Sequence, residues 1–155
     1  MAEGSYTGGF TDHHVHLQLI DPARLEGGLL GRVLDLGSDP AAIRRLAADP
    51  PGGRAGGVSI SHAGAFLTPP GGYPSDRDWA PAGSVREVAD LADAEAAVAE
   101  MWASGASVIK IASNSIAGPV FTDKLIHHIV RTADRLGLPV VAHAEGPGEA
   151  QRMPG

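Results

Sequence analysis

Two histidines near the start of the chain, His14 and His16, are spaced so that they can share one metal ion. They belong to a largely apolar segment, Phe10 to Leu19, which predicts a β-strand. Side chains two residues apart on a strand point to the same face, so the two imidazoles should project together. Imidazole is a common ligand of zinc and similar ions. A histidine-rich surface segment is the alternative, and the apolar strand that the pair opens argues against it.

A lysine inside an otherwise apolar run is the second group that could do chemistry. Lys110 lies in the segment VIKI at residues 108–111, which predicts a buried strand. A buried lysine is costly unless it is paired or neutral, and burial lowers its pKa. The neutral amine can then take part in covalent chemistry. A strand-end lysine whose amine reaches solvent is an equally weighted alternative.

A third histidine, His143, ends the apolar run at residues 138–142. It should therefore stand at the C-terminal end of a strand, which is where α/β barrels place their catalytic groups. Taken alone, a histidine in such a position more often has a structural role than a metal-binding one.

Five short apolar or β-branched segments predict the strands that would position these groups. They are Phe10 to Leu19, Arg32 to Leu36, Gly57 to Ser61, Ser107 to Ile111 and Pro139 to His143. Helical patterns lie between them, at Ala41 to Ala48, at Ala94 to Trp102 and after Thr122, and Met101 and Trp102 are expected in the core. Strands alternating with helices predict a parallel α/β fold, as one domain over residues 1–155.

One connection, Phe66 to Val85, is rich in proline and glycine, and its apolar residues show neither helical nor strand periodicity. A loop of this length within a compact domain is usually functional or disordered. Because it follows the third strand, it should lie on the C-terminal face of the sheet, and we expect it to shape the substrate pocket.

Composition narrows the classes of function. The net charge is −6 with no basic run, which argues against nucleic acid as a partner. There is no cysteine, so a metal must be held by histidine, carboxylate or a modified lysine. No apolar run approaches the roughly 20 residues of a membrane helix, and the start of the chain does not look like a signal peptide. We therefore expect a soluble cytoplasmic protein.

The order of these signals resembles the amidohydrolase superfamily of metal-dependent hydrolases. The resemblance is carried by TDHHVHL at residues 11–17, GASVIKI at 105–111 and GLPVVAHA at 137–144. It implies a partial (β/α)8 TIM-type barrel of about five parallel βα units. It also implies a small-molecule substrate, with metal-activated water attacking an amide, a cyclic amide or a related bond.

The resemblance assigns roles to individual residues. His14 and His16 would bind one divalent metal, His143 a second, and Lys110 would be carboxylated and bridge both as a catalytic group. Zinc is the first expectation, with one or two ions, and manganese, iron, cobalt or nickel are alternatives. Asp12 matches the first position of the motif, where it would orient a ligand.

Four further residues are candidates for supporting roles. Glu145 and Asn114 follow the fifth and fourth predicted strands, so they are expected to support a ligand or to line the pocket. His62 ends the third strand and has a smaller chance of contacting substrate. Asp35, inside the second strand, either orients a ligand or simply reaches the strand end.

The family takes a further histidine from strand six and an aspartate from strand eight, and this sequence has no counterpart of either. We therefore expect a truncated chain with little or no hydrolase turnover alone. The alternative is a non-catalytic fragment that binds metal or forms a homo-oligomer through its exposed sheet edges. A complete small α/β domain with coincidental histidines is a third interpretation, and the order of the three motifs argues against it.

Overall fold

Parallel strands and α-helices alternate along the chain in the computed structural model, which describes residues 8–53 and 57–154. The strands are β1 (Phe10–Val15), β2 (Leu30–Asp35), β3 (Ser59–His62), β4 (Phe66–Thr68), β5 (Val85–Glu87), β6 (Ile109–Asn114) and β7 (Val140–Glu145). The α-helices are α1 (Pro40–Ala48), α2 (Leu91–Ala103) and α3 (Asp123–Arg135). Short 3-10 helices cover Leu17–Leu19, Pro22–Leu25 and Ala150–Arg152.

The strands form two parallel sheets, in the orders β1-β2-β3 and β5-β4-β6-β7. The sheets meet where β3 runs into β4, because both lie along the same flank of β6. Phe66 of β4 pairs with Lys110, and the Ser107 N–H, just before β6, donates to the His62 carbonyl at 2.9 Å. β3 and β4 are therefore one strand interrupted at residues 63–65. β5 is an added strand on the outer side of β4.

Each α-helix begins at a residue whose side chain accepts a hydrogen bond from the backbone of the first turn. Asp39 caps α1, Asp90 caps α2 and Thr122 caps α3. Such caps typically contribute about 1 kcal/mol each. None of the helices in the described ranges combines the length and the hydropathy that a membrane crossing requires.

Successive side chains of β6 and β7 point alternately toward the helices and toward the opposite face of the sheet, which we call the inner face. Ile109 and Ile111 pack in the large cluster with α2 and α3. Val108 and Val141 instead pack in a small cluster with Leu36 and Ala63. Side chains two residues apart share a face, so Lys110 and His143 belong to the same inner face as these two valines.

The structure corrects three expectations. The first strand ends at Val15, and a 3-10 helix at Leu17–Leu19 replaces its predicted second half, because the backbone turns to bind the Asp35 carboxylate. The supposed loop from residue 66 to 85 begins with β4 and ends at β5. Trp102 is 54% exposed rather than in the core, since Met101 takes the inward position on α2.

Candidate metal centre

A bulge in β1 places the first histidine pair. Asp12 pairs with Val33 and Val15 with Asp35, so three steps along β1 match two along β2. Bulges of this kind redirect side chains and are common beside active sites. The Asp12 carboxylate accepts the His14 N–H at 3.0 Å, which fixes the bulged backbone. The rings of His14 and His16 then lie 5.2 Å apart, edge to face.

The turn after His16 is held by a fully buried carboxylate on β2. Asp35 accepts the N–H of Leu17 at 2.6 Å and that of Gly37 at 3.0 Å. The Gly37 carbonyl in turn accepts Nδ1–H of His16 at 3.4 Å. A carbonyl can only accept, so this contact favours the tautomer in which Nε2 keeps its lone pair for a metal.

Glycine is required at position 37 because Phe66 approaches its backbone closely. A Cβ at this position would lie 2.1 Å from the Phe66 ring. The same Phe66 ring lies 5.4 Å from the ring of His16. The missing side chain therefore lets an aromatic ring of β4 reach the histidine of the turn.

Lys110 is buried on the inner face, with 2% of its surface exposed. Burial lowers the pKa of its amine to about 8. The Lys110 charge also lowers the pKa of both His14 and His16. The alternative of a lysine that reaches bulk solvent is therefore wrong.

His143, on β7, is oriented by a chain of hydrogen bonds. Its Nε2–H donates to the Glu145 carboxylate at 3.1 Å, which also accepts Nδ2–H of Asn114 at 2.6 Å. The side-chain oxygen Oδ1 of Asn114 is held in turn by accepting hydrogen bonds from the backbone N–H groups of Ile116 and Ala117. With Nε2 engaged, Nδ1 is the nitrogen of His143 that remains available to a metal.

Burial and nearby positive charge favour the neutral form of His14 and His16. Neutral imidazole is the form that binds metal. Burial is the largest cause of the lowered pKa of His14, and Lys110 adds to it, with smaller effects from His16 and His143. Burial also lowers the pKa of His16, while the Asp35 charge opposes that shift.

His62 lies below this region rather than on its open surface. It is 4% exposed and pairs with Asp35 in the β2–β3 register. Burial lowers the pKa of its imidazole and the Asp35 charge raises it. Its Nδ1 is buried with no hydrogen-bond partner among the described residues. Contact with a substrate, for which the sequence indicated only a smaller chance, would require this buried ring to be uncovered.

The donor set fits a divalent metal in its chemistry, but it is not a preassembled ligand cluster. Within residues 8–53 and 57–154, no three His, Asp or Glu side chains are arranged to hold an ion together. The imidazole nitrogens of His14, His16 and His143, with the amine of Lys110, are nevertheless of the kind that zinc-like ions take. We therefore expect weak binding, through two or three imidazoles at most.

Sequence reasoning missed the aromatic surroundings of the site. The ring of Tyr73, from the segment between β4 and β5, stacks on His143 at 5.0 Å. Burial raises the pKa of the Tyr73 phenol, and the nearby Glu145 charge raises it further. Tyr73 belongs to no sequence motif. The sequence pointed to it only through the prediction that its segment would lie at the substrate pocket.

Replacing Glu145 by alanine is expected to weaken divalent-metal binding about 10- to 100-fold, the usual cost of losing the partner of a metal-binding histidine. The change frees the His143 ring and leaves the Asn114 amide without its acceptor. Isothermal titration with zinc measures the effect. Glu95→Ala is a matched control, because Glu95 also accepts from a histidine, His128, at 3.1 Å, but on the helical surface. Equal losses in both variants would contradict the assigned role.

Solved structures share this fold. An amidohydrolase is 23% identical with a TM-score of 0.71, over 94% of this chain and 45% of that one. A prolidase complexed with N-methylphosphonate-L-proline is 22% identical (TM-score 0.70, 94% and 45%). The ochratoxinase of A. niger is 20% identical (TM-score 0.73, 94% and 44%). No family profile and no curated protein sequence matches the chain. The chain thus has the fold of a partial TIM-type barrel and spans less than half the length of these structures.

Proposed function

We propose that this chain forms part of the active site of a metal-dependent hydrolase that cleaves amide, cyclic amide or related bonds in small molecules. The observation that carries the proposal is that Lys110 and His143 lie on the inner face of the parallel strands β6 and β7, and that His14 and His16, with ring centroids 5.2 Å apart, lie at the C-terminal end of β1. This is the end at which barrel enzymes carry their catalytic groups. The names of the similar structures, an amidohydrolase and a prolidase among them, support hydrolysis of a C–N bond.

In this proposal the metal is held by imidazole nitrogens that the fold leaves free. Nε2 of His16 and Nδ1 of His143 are the available atoms, and His14 completes the first pair. Asp12, Asp35 and Glu145 act through hydrogen bonds that orient these ligands. The chemistry that the metal supplies when bound is activation of water and polarisation of the scissile carbonyl.

Lys110 is proposed to be a carboxylated ligand. With a pKa of about 8, about one amine in ten is uncharged at pH 7. The neutral nitrogen can attack CO2, forming an N–C bond and releasing a proton, which leaves a carbamate that binds cations through oxygen. Labelled bicarbonate added with zinc should give a carbamate carbon signal in NMR spectra that is absent from Lys110→Met.

Removing both imidazoles of the first pair is expected to abolish metal retention. The variant carrying His14→Ala and His16→Ala should hold at least about tenfold less zinc after dialysis than the parent, since the other donors alone bind weakly. Elemental analysis measures the bound metal. His127→Ala is the control, because His127 is an exposed histidine whose Nδ1 contacts the Asp123 carbonyl on its own helix. Unchanged metal content in the double variant would overturn the proposed site.

A non-catalytic, self-associating chain is the second candidate. In the described sheets β1 and β7 each have one strand neighbour. Exposed apolar side chains, Phe10 at 57% and Leu29 at 77%, lie near the β1 edge. Unpaired edges with apolar groups favour association. Sedimentation of the parent over a range of concentrations, with and without zinc, distinguishes an assembly that needs metal from one that does not.

A further inference from the structure

Aromatic rings form a continuous series from one side of the candidate metal centre to the other. His14 contacts His16 at 5.2 Å, and His16 contacts Phe66 at 5.4 Å between ring centroids. Phe66 lies 6.4 Å from Trp79, and Trp79 lies 6.0 Å from Tyr73. Tyr73 then stacks on His143 at 5.0 Å. We call Phe66, Tyr73 and Trp79 the aromatic wall, since they join the two groups of histidines.

Two members of the aromatic wall are not core residues. Trp79 is 41% exposed and Tyr73 is partly exposed, while Phe66 is buried beneath them. The segment that carries them is nonetheless well held. The Thr68 hydroxyl donates to the Tyr73 carbonyl at 2.8 Å, and the Ser75 hydroxyl donates to the Gly72 carbonyl at 2.6 Å. The wall therefore offers ordered aromatic surface beside the metal-binding side chains.

The charge around the wall indicates which kind of group would bind there. The Arg77 guanidinium lies 5.8 Å from the centre of the Tyr73 ring. The Asp76 carboxylate, 3.3 Å from the Arg77 guanidinium, compensates its charge. The rings themselves carry no formal charge, and the Glu145 charge near Tyr73 disfavours an anion. These features favour a flat apolar partner, since stacking contributes about 0.5–1.5 kcal/mol beyond the burial of area.

We propose that the aromatic wall binds an aromatic or other flat apolar group of the substrate, next to the scissile amide. This inference rests on the proposed function, because it names the substrate class of the same site. A substrate carbonyl placed between His16 and His143 would have the wall beside it, since the wall contacts both rings. A flat group next to that carbonyl, such as a benzoyl ring, would then stack on Tyr73 and Trp79.

The test uses Trp79 as an internal reporter. Trp79 and Trp102 are the two tryptophans of the chain, and Trp102 is an exposed side chain of α2. In the Trp102→Phe protein, tryptophan emission excited at wavelengths that tyrosine does not absorb therefore comes from Trp79 alone. N-benzoylglycinamide and N-acetylglycinamide differ by one aromatic ring, and each is titrated into the metal-free protein. We expect the benzoyl probe to bind about tenfold more tightly, which corresponds to about 1.4 kcal/mol.

Two substitutions show whether the wall is responsible. Tyr73→Phe keeps the ring and should preserve the preference for the benzoyl probe, while Tyr73→Leu should remove most of it. Circular dichroism checks that each variant is folded. If Tyr73→Leu does not fold, Trp79→Leu replaces it, with binding followed by calorimetry. Equal affinity for the two probes in the parent, or an unchanged preference in the leucine variants, would overturn the proposal.

A metal titration separates this inference from the proposed function. Co²⁺ bound near His16 should quench Trp79, which is linked to that ring through Phe66. Replacing His14 and His16 by alanine should abolish the quenching. Quenching without probe preference would overturn the aromatic wall and leave the metal site standing. Probe preference without quenching would support the wall as a binding surface and contradict the metal-dependent function.

Discussion

Lys110→Met is expected to stabilise the metal-free chain at pH 7 by up to about 3 kcal/mol. The amine is buried, with 2% of its surface exposed, and its pKa falls from 10.5 to about 8. At pH 7 it is mostly charged in an apolar setting, and that charge opposes folding. Methionine fills similar volume without a charge. Urea unfolding of chelator-treated protein measures the free-energy difference.

The pH dependence of this stabilisation has a definite sign. Between pH 8 and 10.5 the unfolded chain binds more protons at this lysine than the folded chain does. The stability of the parent should therefore rise with pH across that window. The gain in free energy of unfolding from Lys110→Met is fully present below about pH 8 and shrinks toward pH 10.5. The chain has one other lysine, the exposed Lys124, and Lys124→Met should change stability little at any pH. A similar gain in both variants would contradict the explanation.

Asp35→Ala is expected to destabilise the chain by about 2–5 kcal/mol. The fully buried carboxylate accepts two backbone N–H groups, those of Leu17 and Gly37. Each buried donor left without an acceptor costs about 1–3 kcal/mol. Thermal and urea unfolding would measure the loss. Asp134→Ala, at an exposed position on α3, is the control and should be nearly neutral.

Asp35→Asn distinguishes the hydrogen-bonding role of this residue from its electrostatic one. The amide oxygen still accepts one N–H group, so the loss of stability should be smaller than in the alanine variant. The negative charge, which raises the pKa of both His16 and His62, is lost in either case. NMR titration should therefore find both imidazole pKa values lower than in the parent. Unchanged values would show that Asp35 supports the turn only by hydrogen bonding.

The strand and helix order could be predicted because the signals are local. Apolar runs bounded by glycine mark the strands, and Asp39 and Thr122 mark helix starts, as the structure bears out. The ends of strands were less predictable. β6 and β7 extend to Asn114 and Glu145, beyond the apolar runs, because pairing between the two strands continues through these polar residues.

The irregular features depend on contacts between distant residues, and no local pattern indicates them. The β1 bulge arises from pairing with β2, and the turn after His16 depends on Asp35, about twenty positions away. β4 and β5 have three residues each and form because they pair with each other and, for β4, with β6. The ring stacking of Tyr73 on His143 joins residues seventy positions apart.

The short β4–β5 pair has a consequence for how this site can diversify. It pins both ends of the segment at residues 69–84 to the sheet, through the pairs Phe66 with Val85 and Thr68 with Glu87. The histidines and Lys110 sit outside that segment. Substitutions in this segment can therefore accumulate without displacing the strands, except at Tyr73, whose ring stacks on His143. In evolutionary terms, one such segment could be exchanged for another of different length while both of its ends stay anchored to the sheet.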